Sequence, residues 1–146
     1  MSEYKHMYEL LEAVGNVKSA KAKAAFLKDN DCLGIRDFLK GSFDTSVSFN
    51  WIPKGSVPYT PNEGASDSGS LMDKTSVFKY FADEGPGDEV PSIRRERMFI
   101  ELLESIHPKD AELVLLMKDK NLVGKYKGLT SKLCNNVWGG LIISSK

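Results

Sequence analysis

Apolar residues recur every three or four positions toward both ends of this chain and lose that rhythm in the middle. Met7, Leu11 and Val14, with Tyr4 and Tyr8, form one stripe on a predicted helix that ends near Gly15 and Asn16. Ala20, Ala24 and Leu27, with Phe26 beside them, repeat the stripe in the alanine-rich "KSAKAKAAFLKDN", so the chain opens as a helical hairpin. Asn30 or Asp31 is placed to cap a third helix, with Leu33, Ile35, Phe38 and Leu39 on its buried face and Gly41 and Ser42 at its stop.

After Phe43 the pattern changes. "FDTSVSFNWIPKGSVPYTPNEGASDSGS" alternates Val47, Phe49 and Trp51 or Ile52, then collects prolines and glycines. Proline lacks an amide donor and pushes its predecessor out of the helical region, which predicts an extended crossover followed by a polar loop. Val47 to Tyr59 is expected to be pinned by its aromatic residues, and Asn62 to Ser70 to act as a mobile linker. Helical spacing returns with Leu71, Val77, Phe78 and Phe81 and stops at "GPGD". Ser92 is expected to cap the next helix, whose stripe is Met98, Phe99, Leu102, Leu103 and Ile106. Pro108 opens another that runs to about Asp119 with Leu113, Val114, Leu116 and Met117 in the core, and Asp110 and Glu112 complement its positive end. "NLVGKYKG" reads as a turn, and Thr130 or Ser131 caps a short last helix closed by Gly139 and Gly140. The expected fold is mainly α, a single compact helical domain. It is helical over 1–43, extended or looped over 44–70, helical over 71–138, and ends in a short tail, 139–146.

Composition narrows the setting. A chain of 146 residues is the size of one domain that builds its own core. Cys32 and Cys134 are too far apart in sequence for a disulfide framework or a zinc motif, so a reducing cytoplasm fits and no metal or cofactor is expected. The first residues are charged throughout, and no run of about eighteen apolar residues occurs, so neither export nor a membrane span is expected. Net charge is zero, but Pro61 to Val90 holds seven acidic residues against two lysines, and Lys118 to Lys146 holds six lysines against Asp119. This asymmetry reads either as solvated faces or as a basic patch for phosphate or an acidic partner.

Few residues stand out as candidates for chemistry. His107 is the candidate general base, but no serine or cysteine motif accompanies it, and its ordinary role at a helix junction is a local hydrogen bond to free amides. His6 stands alone on an amphipathic helix, and metal binding would require both histidines to converge with Cys32 or Cys134. Glu101 and Glu104 lie off the apolar stripe and read as an exposed face near Arg94, Arg95 and Arg97. Gly124 and Lys125 are not a phosphate loop, since Tyr126 occupies the serine or threonine position. What remains is a lysine cluster, Lys118, Lys120, Lys125, Lys127 and Lys132 around Tyr126, which could follow a nucleic-acid backbone and stack a base.

"GSFD" at Gly41 to Asp44, "WIPKGSVPYTPN" at Trp51 to Asn62, "RRERMFIELLESIHPKDAELVLLMKDK" at Arg94 to Lys120 and "YKGLT" at Tyr126 to Thr130 resemble an uncharacterised family of small proteins of T4-like tailed phages, including cyanophages. The resemblance implies a phage gene product in the cytoplasm of a bacterial host, or one carried in the virion. It brings no activity and no catalytic residues. The leading expectation is a non-catalytic accessory protein that binds a host or phage protein, with Trp51 and Tyr59 as candidate anchors. The alternatives are nucleic-acid binding through the lysines around Tyr126 and a role as a particle component.

Overall fold

The computed structural model describes residues 6–44, 47–49, 52, 57–60, 71–83, 85–122 and 124–142. Helix α1, Met7–Asn16, buries Met7, Leu11 and Val14 as their spacing predicts, together with Leu10, while Tyr8 is half-buried and Tyr4 lies outside the described residues. Its two ends are held by side chains from other elements. The buried Asp110 carboxylate accepts from the Met7 amide (Oδ2, 3.1 Å) and the Tyr8 amide (Oδ1, 2.8 Å), and Glu9 Oε1 accepts from the His6 amide at 3.1 Å. At the other end the buried Lys23 ammonium donates to the Val14 carbonyl at 3.0 Å and also to that of Val17. An acid therefore meets the positive pole of the helix and a base its negative pole.

Helix α2, Ala20–Asp29, starts at Ser19, whose Oγ accepts from the Ala22 amide, and buries Lys23, Ala24 and Leu27. Ala20 is exposed, and Lys23 takes the place the stripe gave it. Asn30 does not open the third helix. It closes α2, donating from Nδ2 to the Phe26 carbonyl at 2.9 Å, and Asp31 pairs with Arg36. Helix α3, Leu33–Phe43, has Cys32 as its N-cap and runs past the expected stop at Gly41 and Ser42. Gly41 is needed for packing: a Cβ there would lie 2.7 Å from the Met117 sulfur. Ile35, Phe38 and Leu39 are buried as expected, but Leu33 is 61% exposed.

In the crossover Phe49 and Ile52 are buried and Tyr59 is half-buried against the core, so its described residues are pinned, while 62–70 and Trp51 lie outside the described residues. The segment from Leu71 is built of 3-10 helices, Leu71–Asp73, Thr75–Tyr80 and Pro86–Glu89, rather than one α-helix. Phe78 and Phe81 are three apart, and a 3-10 turn stacks such positions on one side; both are buried, and Phe81 meets Phe99 edge-on at 5.2 Å. Gly87 fits because its missing Cβ would lie 1.8 Å from the Tyr80 carbonyl oxygen.

Helix α4, Ser92–Ser105, begins one residue beyond its N-cap, Pro91, so Ser92 is its first residue and not its cap. Helix α5, Pro108–Lys118, follows almost at once. His107 is its N-cap, accepting from the Lys109 amide at 3.1 Å, and Pro108 stands where its missing donor costs nothing. Phe99, Leu102, Leu103, Ile106, Leu113, Val114 and Met117 are buried, and α5 packs against α1, α3 and α4. Helix α6, Ser131–Val137, is capped by Thr130 and lies on α2. The chain is thus mainly helical and forms one compact domain around α5.

Asp110→Ala should lower stability by about 2–3 kcal/mol in urea unfolding, because it strands two amides at a buried helix start; Asp110→Asn, which keeps one acceptor, should cost less. Gly87→Ala should cost about 1–3 kcal/mol, since the neighbour that must move is backbone.

Candidate functional site

The structure separates the lysine cluster. Lys118 is buried, 4% exposed, with its ammonium 2.8 Å from the Asp119 carboxylate. Lys120 turns back to α3 and donates to the carbonyls of Gly41 and, at 3.2 Å, Asp44. Its φ of +57° places it in the left-handed region where glycine is usual. The hydrogen bonds Asn121 to Leu116 (2.9 Å) and Lys120 to Met117 (3.1 Å) complete a Schellman close to α5. Tyr126 is 8% exposed, so its ring packs in the core and is not offered to a base. Burial, followed by the charges of Glu12, Asp110 and Glu112, pushes its hydroxyl up to about 12. Of the six positions, Lys125, Lys127 and Lys132 face solvent.

The two histidines do converge. Their rings lie 4.8 Å apart, with Tyr8 4.7 Å from His107, in the angle between α1 and α5. His6 is buried, and its Nδ1 stands 3.9 Å from the Asp110 carboxylate, beyond hydrogen-bond reach. Desolvation pushes Asp110 above the ordinary carboxylate range, while the amides of Tyr8 and Met7 and the two imidazoles pull it back. No sequence spacing announces this cluster, because its members are about a hundred residues apart. Cys134 is buried and Cys32 half-buried, both as free thiols. Among the described residues, no group of three or more His, Cys, Asp or Glu is placed to hold a metal ion, and no helix is long and apolar enough to cross a membrane.

Tyr59, the described anchor candidate, is half-buried; burial and then Glu112 raise its hydroxyl. The next amide, Thr60, donates to Glu104 at 2.7 Å and ties the crossover to α4. The surface feature that sequence reasoning missed lies elsewhere. Leu33 and Ile93, at 61% and 77%, are the exposed large apolar residues among those described. Each stands at the mouth of a groove. The Ile93 groove, about 470 Å³, is lined by Arg94, Arg97, Met98 and Glu101. Met98 and Glu101 also line a second groove, about 440 Å³, with Lys74, Ser76, Val77 and Leu102. Ser76 passes into a third, about 380 Å³, between the 3-10 helix Thr75–Tyr80 and α3, where Phe49 and Phe78 form the floor and Leu33 the rim. The three grooves therefore adjoin one another as one tract of surface, with Ile93 lining the first and Leu33 the third.

An alkaline titration followed by tyrosine absorbance should show Tyr126 ionising last, near pH 12. Its folded value lies above the unfolded value of about 10, so the stability it contributes is present below about pH 10 and lost as pH climbs through about 12. Tyr126→Phe should remove that step.

No curated protein matches the sequence. The model of a family of unknown function, DUF6433, matches residues 10–124, a span that runs from within α1 through α5 and takes in every residue of the tract. The chain belongs to this family.

Proposed function

We propose that this is a non-catalytic accessory protein of a T4-like tailed phage that acts in the bacterial cytoplasm by binding a host or phage protein; a place in the particle is the alternative setting. The observation that carries the reading is the tract of adjoining grooves from Ile93 to Leu33. Among the described residues the other large apolar side chains are buried or half-buried, and these two stand in water, each lining a groove. Exposed apolar groups bordered by polar ones are the usual mark of a protein contact. The position of His107 supports a structural role, since its Nδ1 is engaged by the Lys109 amide and its ring is packed on His6 and Tyr8. The nucleic-acid reading rests on Lys125, Lys127 and Lys132, which lie outside the tract.

Affinity purification from infected cells, with and without nuclease, distinguishes the two. A protein retained after nuclease, and lost by at least about tenfold in a Leu33→Asp/Ile93→Asp variant, is the expected result. Both positions lie in first helical turns, where aspartate favours the helix, so the variant should fold. Recovery that disappears with nuclease, or with Lys125→Glu/Lys127→Glu, would favour nucleic acid instead.

A further inference from the structure

Building on the protein-binding reading of the tract, we propose that its occupant is an acidic segment of a partner protein, with an apolar side chain seated on Ile93 and carboxylates meeting Arg94 and Arg97. Charge along the tract carries the choice. Arg94 and Arg97 at one end, with Lys74 and Lys79 further along, outnumber Asp73 and Glu101. Of the other two charged groups, Lys40 is paired with Asp44 at 2.5 Å, whereas Asp37 accepts only from the neutral Thr75 hydroxyl at 3.0 Å and keeps its charge, so the excess of cations lies at the Ile93 end, Arg94 and Arg97 against Glu101. Arg95 is likewise engaged, 3.4 Å from Asp88, whereas Arg94 and Arg97 are exposed and form no ion pair among the described residues.

The location of Arg94, in the first turn of α4, is unfavourable to the helix, and Arg97 lies one turn on. The helix has no acidic residue in its first turn, and Pro91, which offers no side-chain cap, stands before it. Cations at the positive pole of a helix destabilise it, and acids there would do the reverse. The other end of the tract repeats the arrangement. Cys32 supplies no side-chain cap to α3, no acid lies in that first turn, and Leu33 is exposed there. By contrast α2, α5 and α6 are each capped by a side chain, from Ser19, His107 and Thr130. Both helix starts thus lie beside an exposed apolar group, but Asp31 and Asp37 stand near the start of α3, so the uncompensated cations are at the Ile93 end, where an apolar residue flanked by acidic ones is the complement.

The test selects short random peptides displayed on a cell surface against the full chain and against two variants. Enriched peptides should carry clustered Asp or Glu beside Leu, Ile or Phe, and Arg94→Glu/Arg97→Glu should weaken them at least about tenfold, with affinity falling as salt rises. The same variant should melt no lower than the wild type. A lower Tm would show that the arginines serve the fold, and would overturn the proposal. Enrichment of basic or uncharged peptides that still require Leu33 and Ile93 overturns the acidic occupant but leaves the groove reading intact. Enrichment indifferent to Leu33→Asp/Ile93→Asp, or none at all, overturns both. Dimerisation abolished by Ile93→Asp places a second copy in the groove and likewise overturns the acidic segment.

Discussion

The structure depends on how the first helix is held at its two poles. The amides that open α1 have no intrahelical partners, and the carbonyls that close it have none either. Asp110, from the first turn of α5, satisfies the start, and Lys23, from α2, satisfies the end. Both charges are nearly removed from water, at 0% and 5% exposure, which costs desolvation energy. The raised titration of Asp110 is the visible sign of that cost. In exchange, a short helix that would be marginal alone is fixed to two others at defined positions. The meeting of His6, Tyr8 and His107 follows from this, because placing the start of α1 on the start of α5 brings those three rings together.

The same device explains why the basic segment is not a basic surface. A lysine can extend a long apolar stem through the core edge and deliver its ammonium to carbonyls at a helix end. Lys120 does this for α3, at Gly41 and Asp44, and accepts left-handed backbone geometry at the close of α5. Lys118 is paired before it reaches solvent. Sequence alone sees charges of one sign close together, whereas their partners are backbone oxygens some 76 and 79 residues away for Lys120. Such partners carry no signature that spacing can reveal.

Local regularity was therefore legible and long-range capping was not. The stripes of α1, α4 and α5 were readable because burial along one helix repeats every three or four residues. Ser19 and Thr130 act as caps through amides three residues on, an interaction that local sequence does contain, although only the second was expected from the sequence. Asn30 misled because the same residue type that opens a helix also closes one. Gly41 misled because a glycine that marks a stop in sequence marks close packing when Met117 lies across from it. The segment 71–81 was seen as helical in rhythm, but an apolar pair three apart cannot tell a 3-10 turn from an α turn.

Leu33 was assigned to the core for the same reason that Ile93 was overlooked: periodicity assigns a face but not a cover. In a helix, a side chain leans toward the N-terminus and lies over the preceding turn. In the first turn there is no preceding turn to lie over, so an apolar residue there extends past the end of the helix and is covered only if another element arrives. At α1 one does, and Met7 is fully buried beneath α5. At α3 and α4 Leu33 and Ile93 stay exposed, and neither helix has a side-chain cap or an acidic residue in its first turn. Selection for stability alone favours Ser, Asp or Glu at such places. Their replacement by Leu33, Ile93, Arg94 and Arg97, gathered along one tract, is the point where this fold departs from what its own stability asks for, and such departures are where contact with another molecule is most economically sought.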